Sequence, residues 1–204
     1  MKIKFNNNNY TFTQLVRNIK NIYSQTESKD RFNWYSQALQ TCIMLRHDTD
    51  TQSTYTIAQV VGMCAALSIR KSWKTNIELL QDALNDKPIK HTNIVRLKVQ
   101  QIKNLSKSHT LEDVCQILNG PKITAFFLNI LRPSDNLHVT IDRHAIRIAL
   151  NTYLDDNQLN VNKNQNEVLQ IAYKVAALEL NIDVLLLQSS TWEFVRRTNY
   201  FNNK

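Results

Sequence analysis

Apolar residues recur every three or four positions along most of the chain, the spacing of one buried helix face. The first such run, "FTQLVRNIKNIY", begins at Phe12, and the second, "WYSQALQTCIML", begins at Trp34. The same spacing predicts further helices over 54–69, 73–84, 92–105, 111–118, 122–131, 143–153, 165–180 and 184–197. With only 2 glycines and 3 prolines in 204 residues, the many tight turns of a β-rich fold are hard to build. We therefore expect an all-α protein.

One of the two glycines and two of the three prolines lie in one stretch from residue 119 to 145, "NGPKITAFFLNILRPSDNLHVTIDRHA". Gly120 can adopt the left-handed conformation that ends a helix, and Pro121 suits the first position of the next helix. Two helices are thus predicted to meet in a very short hairpin. Backbone N–H groups at such a junction can hold a phosphate, and Lys122 falls in the first turn of the second helix.

The end of this stretch predicts a second helix start. In "HVTIDRH", Val139 and Ile141 alternate toward the interior, and Asp142 is placed to cap the helix that follows. Residues 132–141, if extended, are long enough to double back along the preceding helix. Asp142 can then lie across a cleft from Lys122, although capping alone also explains an aspartate at this position.

The charge of the chain indicates a polyanionic partner. Its 25 Lys and Arg against 17 Asp and Glu give a formal net charge of +8, which attracts nucleic acid. Nine of the basic residues, against three acidic ones, lie between residues 70 and 107. We interpret this segment as an electrostatic footprint on nucleic acid; a solvated, lysine-rich surface is the alternative interpretation.

Other sequence features narrow the class of protein. There is no apolar run of signal-peptide or membrane-spanning type, so we expect a soluble, cytoplasmic protein that does not bind membranes. Cys42, Cys64 and Cys115 are widely separated, which argues against a disulfide framework or a zinc site and favours buried, reduced thiols. We therefore predict no metal and no cofactor.

Two segments together resemble the helix-hairpin-helix DNA glycosylase superfamily, which includes endonuclease III and the 8-oxoguanine glycosylases. In "GPKITAFFLNI" and "VTIDRHAIRIA", twenty residues separate Lys122 from Asp142, as in the hairpin lysine and Val-Asp-x-His segment of that family. Upstream, "ALSIRKSWKTN" is similar to the family's Leu-Ser segment. The resemblance implies a two-lobed all-α fold with a central cleft, an inner lobe at 52–133, and an outer lobe built from 1–51 and 134–204.

The resemblance also implies roles for individual residues. Lys122 would be the nucleophile and Asp142 the essential carboxylate of a DNA glycosylase with AP lyase activity, which extrudes and excises a damaged or modified base. His144 matches the family histidine, and we expect it to be structural. The nucleic-acid contacts would come from Asn119, Gly120, Thr124, Arg70, Lys71 and Lys74, with Arg70 filling the gap left by the extruded base. The candidate base-stacking residues, each with core packing as its alternative, are Trp73, Phe126, Phe127 and Tyr153.

The sequence departs from the family in three places. Leu118 stands where the first glycine of the hairpin is usual, no cysteine lies beyond Cys115 to hold an iron–sulfur cluster, and the C-terminal "LLLQSSTWEFVRR" matches no family segment. These departures leave two alternatives to a DNA glycosylase. One is a catalytically silent nucleic-acid-binding module, and the other is a glycosylase acting on RNA or on modified phage DNA. In each case we expect a monomer that binds DNA or RNA.

Overall fold

The computed structural model describes residues 2–5, 8–51 and 54–201. These residues are mostly helical, which confirms the all-α class. The α-helices are α1 (Phe12–Tyr23), α2 (Trp34–Asp48), α3 (Ile57–Leu67), α4 (Trp73–Leu84), α5 (Asn93–Lys103), α6 (Leu111–Leu118), α7 (Pro121–Leu131), α8 (Arg143–Leu150), α9 (Lys163–Leu180) and α10 (Val184–Thr198). Short 3-10 helices span Ser28–Asp30 and Asp156–Gln158.

The chain divides into two compact units. The first combines the chain up to Trp34 with the chain from Ser134 onward, and the second is contiguous from Tyr35 to Pro133. We had assigned residues up to 51 to the first unit, whereas the second unit includes residues 35–51. The expected boundary at residue 52 lies outside the described residues.

The second unit is organised around α3, which packs against α4, α5, α6 and α7. Every α3 residue from Gln59 to Leu67 is buried, as expected for a helix that is apolar on all sides. The thiols of Cys42 and Cys64 are buried, whereas Cys115 is only half-buried. A hydrogen bond with Cys42, together with burial, raises the pKa of Cys64 well above its usual value. This thiol contact connects α2 to α3 within the unit.

The first unit packs α1, α8, α9 and α10 around one core. Its largest fully buried side chains include Leu15 and Ile19 of α1 and Tyr173 of α9. Asp30 is fully buried, and Arg197 of α10 donates to both of its carboxylate oxygens at 2.9 and 2.8 Å. The ion pair thus joins the short helix Ser28–Asp30 to α10.

A small antiparallel sheet precedes α1 and was not predicted. Strand β1 (Lys2–Phe5) pairs with β2 (Asn8–Thr11), with Ile3 opposite Tyr10. The buried rings of Phe5 and Tyr10 meet edge to face at 6.0 Å, and such aromatic pairs stabilise short strands. In the part of the chain described, no helix has the length and apolar character needed to cross a membrane.

Candidate active site

The hairpin between α6 and α7 occupies residues 119 and 120. Asn119 ends α6 in the left-handed conformation, with φ 45°, so our assignment of this role to Gly120 was wrong. Asparagine accepts that conformation more readily than other residues that carry a side chain. Gly120 instead precedes α7 with φ 151°, a backbone angle that favours glycine, and Pro121 is the first residue of α7 as predicted. The backbone conformation at both hairpin positions therefore favours the residues found there.

The C-terminal end of α6 is fixed by a cation and by burial. The amine of Lys98 on α5 donates a hydrogen bond to the carbonyl oxygen of Leu118, a favourable position because the carbonyl end of a helix is negative. The Leu118 side chain is fully buried. A core side chain thus anchors the residue directly before the hairpin.

Lys122 is the second residue of α7 and is exposed to solvent. The N–H of Thr124 donates to the carbonyl of Gly120 at 3.0 Å, closing the first turn. The N–H groups of Lys122 and Ile123 belong to the helix start, where backbone donors lack helical partners. Within this unit, the hairpin brings together Asn119, Gly120, Lys122 and Thr124, four of the predicted site residues.

Asp142 is the N-cap of α8, which confirms the predicted capping role. Its Oδ1 accepts the N–H of Ala145 at 2.8 Å, and its side chain is half-buried. Val139 and Ile141, just before it, are buried as predicted. Among the described residues, none donates a hydrogen bond to the other carboxylate oxygen, so Oδ2 can accept one from a ligand.

A second group of predicted contacts lies between α3 and α4. Arg70 has left-handed backbone, with φ 57°, and Ser72 caps α4 by accepting the N–H of Thr75 at 3.2 Å. The side chains of Arg70, Lys71 and Lys74 are all exposed. These three cations lie within five residues of the sequence around the start of α4, where Trp73 is half-buried, and we call them the α4 basic cluster.

The electrostatic footprint is smaller than the nine basic residues counted in the sequence. Lys103 has a side chain only 9% exposed, is paired with Asp86 at 2.5 Å, and lies 5.7 Å from the ring centre of Tyr55. The amine of Lys98 donates a hydrogen bond to the carbonyl oxygen of Leu118. Both amines therefore have internal structural roles.

The four predicted stacking residues have different environments. Phe127 is fully buried in the second unit, so it takes the core-packing role that was the alternative to base stacking. Phe126 is half-buried and meets Tyr35 edge to face at 6.2 Å. Tyr153 is 50% exposed, with the guanidinium of Arg147 at 5.1 Å from its ring centre. Together with Trp73, Phe126 and Tyr153 retain accessible surface.

An aromatic cluster in the first unit was missed by the sequence reasoning. Trp192 of α10 lies 6.4 Å from Trp34 and 6.0 Å from His144, measured between ring centres. The guanidinium of Arg196 lies 5.0 Å from the Trp192 ring and is paired with Glu193 at 2.9 Å. One member of the cluster, His144 of α8, lies two residues after Asp142 in the sequence. The signal in the sequence was the tryptophan within the unplaced segment "LLLQSSTWEFVRR".

One protein-family model matches residues 1–199, nearly the whole chain, and it describes a family of unknown function, DUF7178. No curated protein and no solved structure matches the chain.

Proposed function

Because the chain belongs to DUF7178, a family of unknown function, we propose a function from its own residues: excision of a damaged or modified base from DNA. The proposed enzyme is a DNA glycosylase with AP lyase activity. Lys122 is its nucleophile and Asp142 its carboxylate. The helix-hairpin-helix glycosylase fold, with its central cleft, is part of the same proposal.

The observation that carries the proposal is the placement of both residues at helix starts that leave them accessible. The amine of Lys122 is exposed directly after the hairpin, where backbone N–H groups favour a bound phosphate. Asp142 is held by its cap hydrogen bond and keeps one oxygen for a ligand. A fixed carboxylate is suited to stabilise developing positive charge.

In the proposed reaction Lys122 acts through its side-chain amine. The amine attacks C1′ of an extruded nucleotide, and the base departs with the bonding electron pair and a proton. Asp142 stabilises the cationic sugar and assists the proton transfers. Opening of the sugar ring gives a Schiff base, and loss of a C2′ proton expels the 3′-phosphate and nicks the strand. Hydrolysis of the Schiff base then restores Lys122.

Contacts to the nucleic acid are assigned to the surfaces that remain accessible. The α4 basic cluster and the hairpin residues Asn119, Gly120 and Thr124 would bind phosphates. Trp73, Phe126 and Tyr153 are candidates to stack on the base. The half-buried Trp192, beside His144 of α8, is a further candidate.

Borohydride trapping tests the nucleophile, because it reduces a Schiff base to a stable covalent adduct. Wild-type protein should form an adduct with duplex DNA containing an abasic site, and Lys122→Ala should form none while binding the DNA nearly as well. Lys163→Ala is the matched control, since Lys163 is also an exposed lysine in the first turn of a helix. Adduct formation by Lys122→Ala at the wild-type rate would refute the assignment.

Two substitutions separate the carboxylate from the cap at Asp142. Asp142→Asn keeps an oxygen that can accept the Ala145 N–H, so stability should be nearly unchanged while base excision from a lesion-containing duplex is lost. Asp142→Ala should also lower the free energy of unfolding by about 1 kcal/mol. Full excision activity in Asp142→Asn would show that this carboxylate acts only as a cap.

A catalytically silent binding module is the second candidate. The buried Leu118 favours it, because the hairpin of the helix-hairpin-helix glycosylases usually has glycine at this position. A module of this kind binds DNA or RNA but is never trapped by borohydride. In either case, affinity should fall steeply with salt. Replacing Arg70, Lys71 and Lys74 by alanine should reduce the slope of log K against log salt by about 3. Lesion-bearing DNA and RNA oligonucleotides compared side by side would identify the substrate.

A further inference from the structure

Helix α9 of the first unit has apolar side chains on two opposite faces. Its core face carries the buried residues of the helix, with the fully buried Tyr173 among them. The other face carries Ile171, which is 45% exposed, and Leu178, which is 80% exposed. The half-buried Val168 and Val175 lie on this same outer face, because residues three and four apart are neighbours on a helix. A row of aliphatic side chains on an exposed face is typical of an interaction surface.

The spacing within this row, which we call the outer stripe, is that of a coiled-coil seam. Its members follow one another at intervals of three, four and three residues: Val168, Ile171, Val175 and Leu178. In heptad notation the two valines occupy a positions, and Ile171 and Leu178 occupy d positions. Valine at a with leucine at d is the combination that favours two parallel strands. The outer stripe therefore fits one further helix with the same pattern.

The charges beside the outer stripe identify that helix. Lys174 occupies a g position on one edge of the stripe, and Glu179 occupies an e position on the other edge. In a parallel pair, a g position faces the e position of the next heptad in the partner. Two copies of α9 would thus place Lys174 of each opposite Glu179 of the other, and a two-fold axis makes this pair twice. An antiparallel pair would instead bring the edges with Lys174 together.

The carboxylate of Glu179 is already held at its edge of the stripe. Lys20 of α1 donates to its Oε2 at 2.7 Å, and 47% of the Glu179 side chain remains exposed. Oε1 of this carboxylate is then in place to accept a hydrogen bond from a second cation. The acidic edge is therefore formed before a partner arrives.

The net charge of α9 argues against nucleic acid as the occupant. Its two lysines are balanced by two glutamates, whereas the whole chain has a formal net charge of +8. A neutral helix with an aliphatic stripe does not neutralise phosphates. A second copy, in contrast, matches both the stripe and its edges.

We propose that the outer stripe of α9 is the contact of a parallel homodimer. The contact is short, at about 15 Å from Val168 to Leu178, so the dimer should dissociate on dilution. The proposal departs from the monomer that we expected from the sequence. It does not depend on base excision.

Sedimentation equilibrium of the full chain over a range of concentrations tests the dimer. Wild-type protein should associate reversibly, and Leu178→Ser should weaken association about tenfold or more, because each dimer loses two buried leucines. Leu97→Ser is the matched control, since Leu97 is a 63% exposed leucine of α5 in the other unit, and it should leave association unchanged. Both variants should keep the wild-type circular dichroism spectrum, because the replaced side chains are exposed.

Two charge substitutions test the parallel arrangement. Lys174→Glu alone and Glu179→Lys alone should each weaken association about fivefold or more, because each places like charges opposite one another. An equimolar mixture of the two variants should associate about as tightly as wild type, since both edge pairs of the mixed dimer again have opposite charges.

Each contrary result overturns the proposal. The outer stripe is not a self-contact if no dimer forms up to about 1 mM protein, or if Leu97→Ser weakens the dimer and Leu178→Ser does not. A mixture of the charge variants that associates no more tightly than either variant alone excludes the parallel arrangement. Weaker binding of duplex DNA by Leu178→Ser, with association unchanged, would assign the stripe to nucleic acid.

Discussion

Gly62 in α3 provides a test of the packing that supports the hairpin. A Cβ at this position would lie 2.7 Å from Cγ1 of Val114 and 3.5 Å from Cδ1 of Ile102. Carbon atoms in contact prefer separations of about 3.5–4.0 Å, so in Gly62→Ala the Val114 side chain must move by about 1 Å. Val114 is fully buried in α6, the helix that ends at the hairpin.

Two opposing terms determine the expected size of the effect. Alanine is favoured over glycine inside a helix by about 1 kcal/mol, whereas overpacking a core costs about 1–3 kcal/mol. Gly62→Ala should therefore lower the free energy of unfolding by about 1 kcal/mol. Val114→Ala alone should cost about 2 kcal/mol, because it removes two buried methyl groups.

Urea denaturation followed by circular dichroism, on the two single variants and the double variant, measures the coupling. Val114→Ala removes the atom that clashes, so the double variant should be more stable than additivity predicts by at least about 1 kcal/mol. Effects that add to within about 0.5 kcal/mol would refute the steric reasoning. Gly120→Ala is the control, since the nearest atom to its added Cβ is Ile123 Cγ2 at 3.6 Å, and Val114→Ala should not rescue it.

Two further predictions concern the hairpin backbone and acid stability. Gly120→Ala should cost about 1–3 kcal/mol of unfolding free energy by equilibrium denaturation, because φ of 151° strains any residue with a Cβ; an unchanged midpoint would contradict this. Hydrogen bonds from Arg197 lower the pKa of Asp30, so the carboxylate stabilises the fold above its unfolded pKa and loses this contribution as pH falls through the folded value. The stability difference between wild type and Asp30→Asn should therefore shrink below about pH 4, and a difference independent of pH would exclude the ion pair as its cause.

Helix positions were predictable because local chemistry determines them. Thr110 and Asp113 form the capping box that starts α6, and α4 begins and ends at the residues predicted for it. The predicted helix over 143–153 was too long, because Asn151 adopts left-handed backbone and ends α8 at Leu150. Asparagine in such a position is compatible with either a helix or its end, so the sequence alone left this boundary open.

Side-chain partners distant in sequence were not predictable. Lys98 and Lys103 are one turn and a fraction apart on α5 and have the same charge, yet one binds the end of α6 and the other is buried against Asp86. A count of basic residues treats both as surface charge. The Trp192 cluster was not predictable for the same reason, because its members come from α10, from α8 and from the start of α2.

The hairpin between α6 and α7 shows how a tight turn forms with a single glycine. A helix that ends in a hairpin needs one residue in left-handed backbone, and here Asn119 supplies it. Leu118, directly before the hairpin, adds a fully buried side chain to the core. Leu118→Gly should therefore lower the free energy of unfolding and leave the backbone conformation of residues 119 and 120 unchanged, because Asn119 and Gly120 are both kept.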